Sequence, residues 1–351
     1  MVQMRPQRGK AMGPKPTPEH ILQVGMGFWA SKTLLSAVEL ELFTVLGQQD
    51  MTGPEVADRL GLHPRGLFDF LDALVSLRLL KRDGDGQEAS YSNTIETALF
   101  LDKSQPAYVG GILEMSNSRL YGYWGNLTEA LRTGKPQNEI KHGGDFFGAL
   151  YGDEERLEEF LRAMQGVQMG GFLALLDKVD LSSAVTLCDV GGANGALCGL
   201  AVQRHPHLQA TVFDLPPVLP IARRHLASLG VGEKVTVVGG DFFVDDLPTA
   251  DVIVMGNILH DWDEAQKMLL IGKARKALND GGRLIAVENV IDDARRENTF
   301  GLLMSLNMLI ELPGGFDYTG AQFDRWCKDA GFNRTEIIPL AGPTSAAVAY
   351  R

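Results

Sequence analysis

Length, composition and charge already exclude several classes of protein. The chain has 351 residues, 45% of them hydrophobic and 22% charged, which predicts two or three globular domains with ample cores. Its net charge of −11 at pH 7 argues against general binding to nucleic acid or to an anionic membrane. The three cysteines are odd in number and lack metal-ligand spacing, so we expect a reduced, cytoplasmic setting and no metal site.

The N-terminal third predicts a tail followed by a winged-helix domain. Residues 1–17 mix basic residues with proline and glycine and indicate a disordered tail rather than a signal peptide. Residues 18–46 are apolar at helical spacing, with a break expected near Ser31. Thr52 and Glu55 form a capping-box pair, a helix is expected over 64–79, and residues 79–82 and 88–92 flank a hairpin turn. Residues 18–104 therefore resemble a winged helix, whose long apolar helices suit burial in a dimer.

The rest of the chain predicts a helical connection and then an α/β domain. Residues 105–180 are mostly helical and would form one wall of a substrate pocket. From residue 181 onward strands and helices alternate, which indicates a doubly wound, mostly parallel sheet over 181–351. We place its strands at 185–190, 211–213, 235–238, 252–255 and 283–288.

A glycine-rich turn follows the first of these strands. Asp189 closes the strand, Gly191, Gly192 and Gly195 follow, and a helical run begins at Ala196. The spacing fits neither register of the dinucleotide fingerprint G-x-G-x-x-G. It leaves D-x-G-x-x-x-G, a pattern suited to a ligand without a pyrophosphate. The alternative is an ordinary strand-to-helix turn.

Acidic residues also follow the second and third strands. Asp214, before Leu215, stands where a carboxylate can accept hydrogen bonds from two ribose hydroxyls. Asp241 and Phe242 pair an acid with an aromatic ring, which suits the amino group and face of adenine. The alternatives are a helix cap for Asp214 and a turn acid with core aromatics for the second pair.

A histidine follows the fourth strand, in the triplet His260-Asp261-Trp262. An unperturbed pKa near 6.5 suits proton removal at neutral pH. Glu288 ends the apolar fifth strand and needs a partner there, so we predict that its carboxylate holds the His260 ring in one tautomer. Asp317, after a proline-glycine-glycine turn, is a weaker second candidate. The alternatives are a surface histidine, a solvated strand end and a turn acid.

Together these features resemble the small-molecule O-methyltransferases of the caffeate and hydroxyindole type, including bacterial enzymes that tailor natural products. The shared patterns are the winged helix, D-V-G-G-x-x-G, F-D-L-P, G-D-F-F, H-D-W and the P-G-G turn, and the similarity covers nearly all of residues 18–351. It implies a class I methyltransferase fold, a homodimer, S-adenosylmethionine (SAM) as cofactor and a small aromatic acceptor.

The resemblance also implies roles for individual residues. His260 would be the general base, flanked by Glu288 and Asp317. The acceptor would contact Phe160, Met164 and Met308, for which helix core is the alternative. The cofactor would contact Asp189, Gly191, Gly192, Asp214, Leu215, Asp241, Phe242 and Trp262.

Two departures and two rival functions accompany the resemblance. Asp317 stands where plant members carry glutamate, and Gly256 stands where they carry a lysine that touches the cofactor.

A DNA-binding regulator is disfavoured, because residues 18–104 hold seven Lys and Arg against thirteen Asp and Glu. Methylation of carbon or nitrogen, or loss of methyl transfer, would keep the same fold.

Overall fold

A computed structural model describes residues 16–143, 148 and 151–351 of the chain. The predicted tail, apart from residues 16 and 17, lies outside the described residues. The described residues divide into two compact units, one that ends at residue 98 and one that covers the described part of 99–351. Within the described ranges, no helix is long and apolar enough to cross a membrane.

The first unit combines helices with a small antiparallel sheet of order β1-β3-β2. Thr52 caps α4 as predicted, and its N–H donates to Glu55 Oε2 at 2.7 Å. The hairpin of β2 and β3 is confirmed, and β1 was not predicted. The helices are α1 (Glu19–Gly25), α2 (Gly27–Glu39), α3 (Leu42–Leu46), α4 (Gly53–Leu60), α5 (Pro64–Ser76) and α6 (Ile95–Phe100), and the strands are β1 (Met51–Thr52), β2 (Leu80–Asp83) and β3 (Ser90–Asn93).

The predicted helix break near Ser31 is wrong. Ser31 lies inside α2, and the chain breaks instead at Met26 and at Leu40 and Glu41. Met26 stands between two glycines, which have poor helix propensity, and Glu41 adopts a left-handed φ of 56°. Ser31 has a weaker tendency to interrupt a helix than the two glycines beside Met26.

The second unit begins with helices and continues into the α/β sheet. Its first helices are α7 (Gly110–Met115), α8 (Tyr121–Trp124), α9 (Leu127–Thr133) and the long α10 (Glu154–Lys178). The sheet has the order β6-β5-β4-β7-β8-β10-β9. Its strands are β4 (Thr186–Val190), β5 (Gln209–Asp214), β6 (Val235–Gly239), β7 (Ala250–Gly256), β8 (Leu278–Glu288), β9 (Arg334–Pro339) and β10 (Ser345–Tyr350).

The sheet is parallel except for β10, which is antiparallel to both β8 and β9. This confirms the predicted α/β class. The last two strands were missed, because β9 is half-exposed and β10 is rich in alanine, a residue with little strand preference. The connecting helices are α11 (Ala196–Arg204), α12 (Leu219–Ser228), α13 (Glu264–Ala277), α14 (Thr299–Glu311) and α15 (Gly320–Asp329).

Helix packing buries both faces of the central strands. Leu187 and Val254 contribute to the core on one face, and Cys188 and Ile253 contribute to the core on the other. Because β4, β5, β7 and β8 are parallel, their carboxyl ends share one edge of the sheet. Open α/β sheets bind ligands at this edge, and the acids and the histidine singled out above all lie there.

Candidate active site

The glycine turn after β4 is a tight, backbone-lined cradle. Gly191 has a φ of +70°, and a Cβ built on it would lie 2.3 Å from Ile258 Cδ1. Its N–H donates to the carbonyl of Phe213 on β5 at 2.8 Å. Ala193 also takes a left-handed φ of 51°, a conformation that favours glycine. Backbone strain is therefore concentrated where a ligand would touch main-chain atoms.

Two buried acids face this turn. Asp214 accepts hydrogen bonds from the N–H groups of Ala193 at 2.8 Å and Leu215 at 2.7 Å. Burial raises the pKa of Asp214 to about 6, although these two bonds act to lower it. Burial and the charge of Asp214 raise the pKa of Asp189 to about 8. A cationic ligand would relieve the cost of ionising both acids.

The aromatic pair after β6 packs with Trp262. The Phe242 ring lies edge-on to the Phe243 and Trp262 rings, with centroids 4.9 and 5.8 Å away. Asp241 Oδ1 accepts the N–H of Phe243 at 2.8 Å. Asp241, Phe242, Phe243 and Trp262 are all partly exposed. An apolar aromatic surface and a carboxylate therefore lie side by side beyond the end of β6.

Helix α10 supplies a wall of the cleft around the glycine turn, but through residues that the sequence reasoning missed. Asn194 Nδ2 donates to Gln165 Oε1 at 2.5 Å, and Gln168 Nε2 donates to the Gly256 carbonyl at 3.1 Å. Phe160 and Met164 are half-buried at the adjacent helix positions. The lining positions recur at helical spacing, which could have identified them: Leu161, Gln165, Gln168 and Phe172.

His260 lies on a short helical turn after β7, inside a group of acids. Its ring Nδ1 is 3.4 Å from Asp317 Oδ1, and its Nε2 is 3.4 Å from Asp261 Oδ1. Glu288 Oε1 instead accepts the backbone N–H of His260 at 3.1 Å. The predicted contact of Glu288 with the ring is therefore not formed, and Asp317 is closer to it.

The topology explains why Glu288 meets the backbone. Glu288 follows Val287, which pairs with Gly256 at the end of β7, so its carboxylate reaches the main chain as it leaves that strand. The proline-glycine-glycine turn delivers Asp317. A Cβ on Gly315 would lie 2.9 Å from the carbonyl oxygens of His260 and Asp261, so only glycine permits this approach.

The electrostatics of this group favour a charged ring. Burial alone would lower the pKa of His260, but the charges of Asp261, Asp317 and Glu288 raise it to about 10. Burial raises the pKa of Asp261 to about 7 and also raises that of Glu288. His260, Glu288 and Asp317 are each at most 5% exposed, so water screens their interaction weakly.

A second polar network, unanticipated from the sequence, connects α14 to residues 119 and 139. Arg119 donates to both carboxylate oxygens of Glu139, at 2.7 and 2.9 Å, and approaches Glu311 at 3.4 Å. Asn307 Nδ2 donates to Glu311 Oε1 at 2.8 Å. The charge of Glu311 also raises the pKa of Asp261, so this network lies close to the histidine group. Met308, the neighbour of Asn307, is buried.

Comparison with known proteins agrees with this architecture. Residues 124–333 match the family model of the O-methyltransferase domain, and residues 22–103 match that of the O-methyltransferase dimerisation domain. The chain belongs to the O-methyltransferase family. Members of this family take the methyl group from SAM, so the protein is a SAM-dependent O-methyltransferase.

Three similar proteins illustrate the range of the family. The tetracenomycin polyketide synthesis 8-O-methyltransferase TcmO of Streptomyces glaucescens is 42% identical over 94% of this chain and 96% of its own. The N,N-dimethyltransferase OxyT of Streptomyces rimosus is 36% identical over 78% and 79%. The human N-acetylserotonin methyltransferase in complex with SAM has a TM-score of 0.88 and 29% identity, over 97% and 99%.

Proposed function

We propose that this enzyme methylates a hydroxyl oxygen of a small aromatic, polyketide-type acceptor, with His260 as general base. The observation that carries the proposal is the buried His260 ring, paired with Asp317 at the sheet edge that also holds the glycine turn. The 42% identity to the polyketide O-methyltransferase TcmO supports the choice of acceptor class.

The residues at the sheet edge fit SAM. Asp189 and the backbone of the glycine turn would hold the ammonium and carboxylate of its methionine part. Burial raises the pKa of Asp189, and a cation beside it would stabilise the ionised carboxylate. Asp214 would accept the ribose hydroxyls, Asp241 would accept the adenine amino group, and Phe242 and Trp262 would face the ring. When bound, SAM supplies an activated methyl group on a sulfonium.

His260 is matched to a phenolic acceptor. A phenol is a weak acid whose usual pKa is about 10, and the raised pKa of His260 makes its ring a stronger base than free imidazole, so the ring can take that proton with a smaller uphill step. Asp317 would hold the ring and stabilise the imidazolium after transfer. Because only the neutral ring accepts a proton, we expect turnover to rise with pH from neutrality towards about 10.

Oxygen is favoured over nitrogen as the methylated atom. A phenol must lose a proton as the methyl group arrives, which requires a base, whereas a neutral amine can attack first and lose its proton later. A histidine held between two carboxylates meets the first requirement. OxyT shows that nitrogen acceptors occur among similar chains, so a test must include both classes.

The test combines product analysis with removal of the base. The purified enzyme, SAM and a panel of polycyclic phenols and matched aryl amines are incubated, and the methylated atom is located by mass spectrometry and NMR. We expect O-methyl products, and we expect His260→Ala to lose about a hundredfold to ten-thousandfold in kcat while SAM affinity changes little. N-methyl products alone, or a variant near wild-type rate, would contradict the proposal.

We further propose that the enzyme is a homodimer through residues 18–104. The first two helices of this region expose large apolar side chains, with Ile21 74%, Val24 68% and Trp29 62% exposed. Several large apolar side chains exposed within one short region are typical of a subunit interface. Light scattering should give twice the mass of one chain, and Ile21→Ser combined with Trp29→Ser should weaken the dimer. A wild-type monomer at micromolar concentration would contradict this proposal.

A further inference from the structure

The carboxylate of Asp317 depends on its own main chain for its position. Asp317 is 1% exposed, and its Oδ1 lies 3.4 Å from the Nδ1 of the His260 ring. Apart from this ring, neither carboxylate oxygen has a hydrogen-bond partner among the described residues. Because N–H···O bonds are usually about 2.7–3.2 Å long, a small displacement decides whether the ring and the carboxylate form one. The backbone at Asp317 therefore sets this contact.

Hydrogen bonds fix that backbone on either side of Asp317 and at Asp317 itself. The residue before it donates its N–H to the His260 carbonyl at 2.8 Å, and the residue after it accepts the N–H of Ile291 at 2.9 Å. Between them, the N–H of Asp317 donates to Oγ of Ser305 at 3.2 Å. The first two bonds join main-chain groups, which a substitution leaves in place. The third ends on a side chain, so a single substitution can remove it.

Ser305 reaches Asp317 because the turn after α14 folds back along that helix. Ser305 lies in the middle of α14, and the chain reverses at residues 313–315 to bring Asp317 beside it. Met308, the proposed acceptor contact, is three residues further along α14, and residues three apart share one face of a helix. The helix that would line the acceptor therefore also holds the backbone of Asp317.

We propose that Ser305 is a positioning residue whose hydroxyl oxygen, by holding the N–H of Asp317, keeps the Asp317 carboxylate against the His260 ring. Without this oxygen the carboxylate can move away from the ring. A ring that loses one of its two neighbouring carboxylates binds its proton less tightly and is less firmly oriented. The catalytic consequence rests on the proposed base role of His260, but the effect on the ring does not.

The proton affinity of the His260 ring reports this contact. Ser305→Ala removes the hydroxyl and favours the helix, since alanine is the best helix former, so we expect the variant to fold. It leaves unchanged the charged groups that surround the ring and its carboxylates. These groups are Asp261, Asp317, Glu288 from β8, Glu311 from α14, and Lys267 from α13, whose ammonium lies over the Phe316 ring.

The test measures the ring and the reaction separately. NMR follows the imidazoles of the ligand-free enzyme against pH, and His260→Asn identifies the His260 signal. The pH dependence of kcat is measured with SAM and the most active phenol of the panel described above. Ser305→Thr keeps an acceptor oxygen at the same position. Ser228→Ala removes an exposed serine hydroxyl at the end of α12 and is the matched control.

We expect Ser305→Ala to lower the midpoint of the His260 titration by about one pH unit and to move the rise of kcat with pH in the same direction. The maximum of kcat should fall roughly tenfold while SAM affinity changes little. Ser305→Thr and Ser228→Ala should behave like wild type. Combined with Asp317→Asn, Ser305→Ala should shift the midpoint no further than Asp317→Asn alone, because both changes act through one contact.

Two outcomes separate this proposal from the base role of His260. An unchanged His260 midpoint in folded Ser305→Ala would overturn the proposal even if kcat falls, because the serine would then be purely structural. A lowered midpoint with an unchanged kcat profile would support the positioning of Asp317 by Ser305 and contradict the base role of His260.

Discussion

Buried acids dominate the site at the scale of single residues. Asp189, Asp214, Glu288 and Asp317 are each less than 10% exposed, and a carboxylate in such a place is stable only with a partner. Asp214 has two backbone partners, and Asp317 has the His260 ring. Asp189 carries the cost of burial, which explains why its pKa is raised to about 8.

Replacing Asp189 tests whether its buried carboxylate contributes to cofactor binding. Asp189→Asn keeps the shape but removes the charge that would meet the SAM ammonium. Since a hydrogen bond to a charged group contributes about 1.5–3 kcal/mol, we expect the Kd for SAM to rise roughly ten- to a hundredfold. Calorimetric titration measures it, with the exposed Asp246→Asn as control. Equal affinity in Asp189→Asn and wild type would remove Asp189 from the cofactor site.

At the scale of secondary-structure elements, the strands and helices place main-chain and side-chain groups of the site at one edge of the sheet. Strands β4 and β5 are in parallel register, which places the glycine turn beside Asp214. Strands β7 and β8 place Glu288 beside the main chain of His260. Helix α10 then covers the turn with Gln165 and Gln168.

Gly191→Ala tests whether the backbone conformation of the glycine turn after β4 is needed for stability and for SAM binding. Its left-handed φ disfavours any side chain, and the added Cβ would meet Ile258 at 2.3 Å. We expect a loss of about 1–3 kcal/mol in the free energy of unfolding and at least tenfold weaker SAM binding. Chemical denaturation and calorimetry measure these effects.

The matched control for this change is Gly230→Ala. It has the same φ of +70°, but a Cβ there would meet nothing within 4 Å. It should lose some stability through backbone strain and keep its affinity for SAM. Normal SAM binding by folded Gly191→Ala would show that the close approach at Ile258 is not needed.

Across the whole molecule, the buried titratable groups couple stability to pH. The raised pKa values of Asp189 (about 8), Asp261 (about 7) and His260 (about 10) mean that the folded protein holds protons that the unfolded chain releases. For each group the stabilising contribution is fully present below the unfolded pKa. It is lost as the pH rises through the folded pKa.

We therefore expect the free energy of unfolding of the ligand-free enzyme to fall as the pH rises from 6.5 to 8. Over this window the unfolded aspartates are already ionised and unfolded histidine loses its proton, so Asp189, Asp261 and His260 all act in the same direction. Urea denaturation at four pH values measures the trend. Asp189→Asn should flatten it, and a wild-type stability that rises with pH would contradict the assignment of these shifts.

Much of the architecture could be predicted because it depends on local patterns. The five predicted strands, the capping box at Thr52 and the α/β class are all present. The roles proposed for the acids after the strands stay predictions. The predicted helix break near Ser31 is absent, because several residues in that stretch each have only a weak tendency to interrupt a helix. The predicted contact of Glu288 with the His260 ring is also absent, because it depends on the distance between two separate strands.

The sequence by itself determined the alternation of strands and helices, the glycine turn and the set of polar residues at the strand ends, since hydrophobic period and turn chemistry act over a few neighbouring residues. Only the tertiary structure decided which carboxylate meets the His260 ring, that β10 inserts between β8 and β9, and that the ammonium of Lys267 is buried against the Phe316 ring. These features depend on contacts between segments far apart in the chain, whose packing no local pattern specifies.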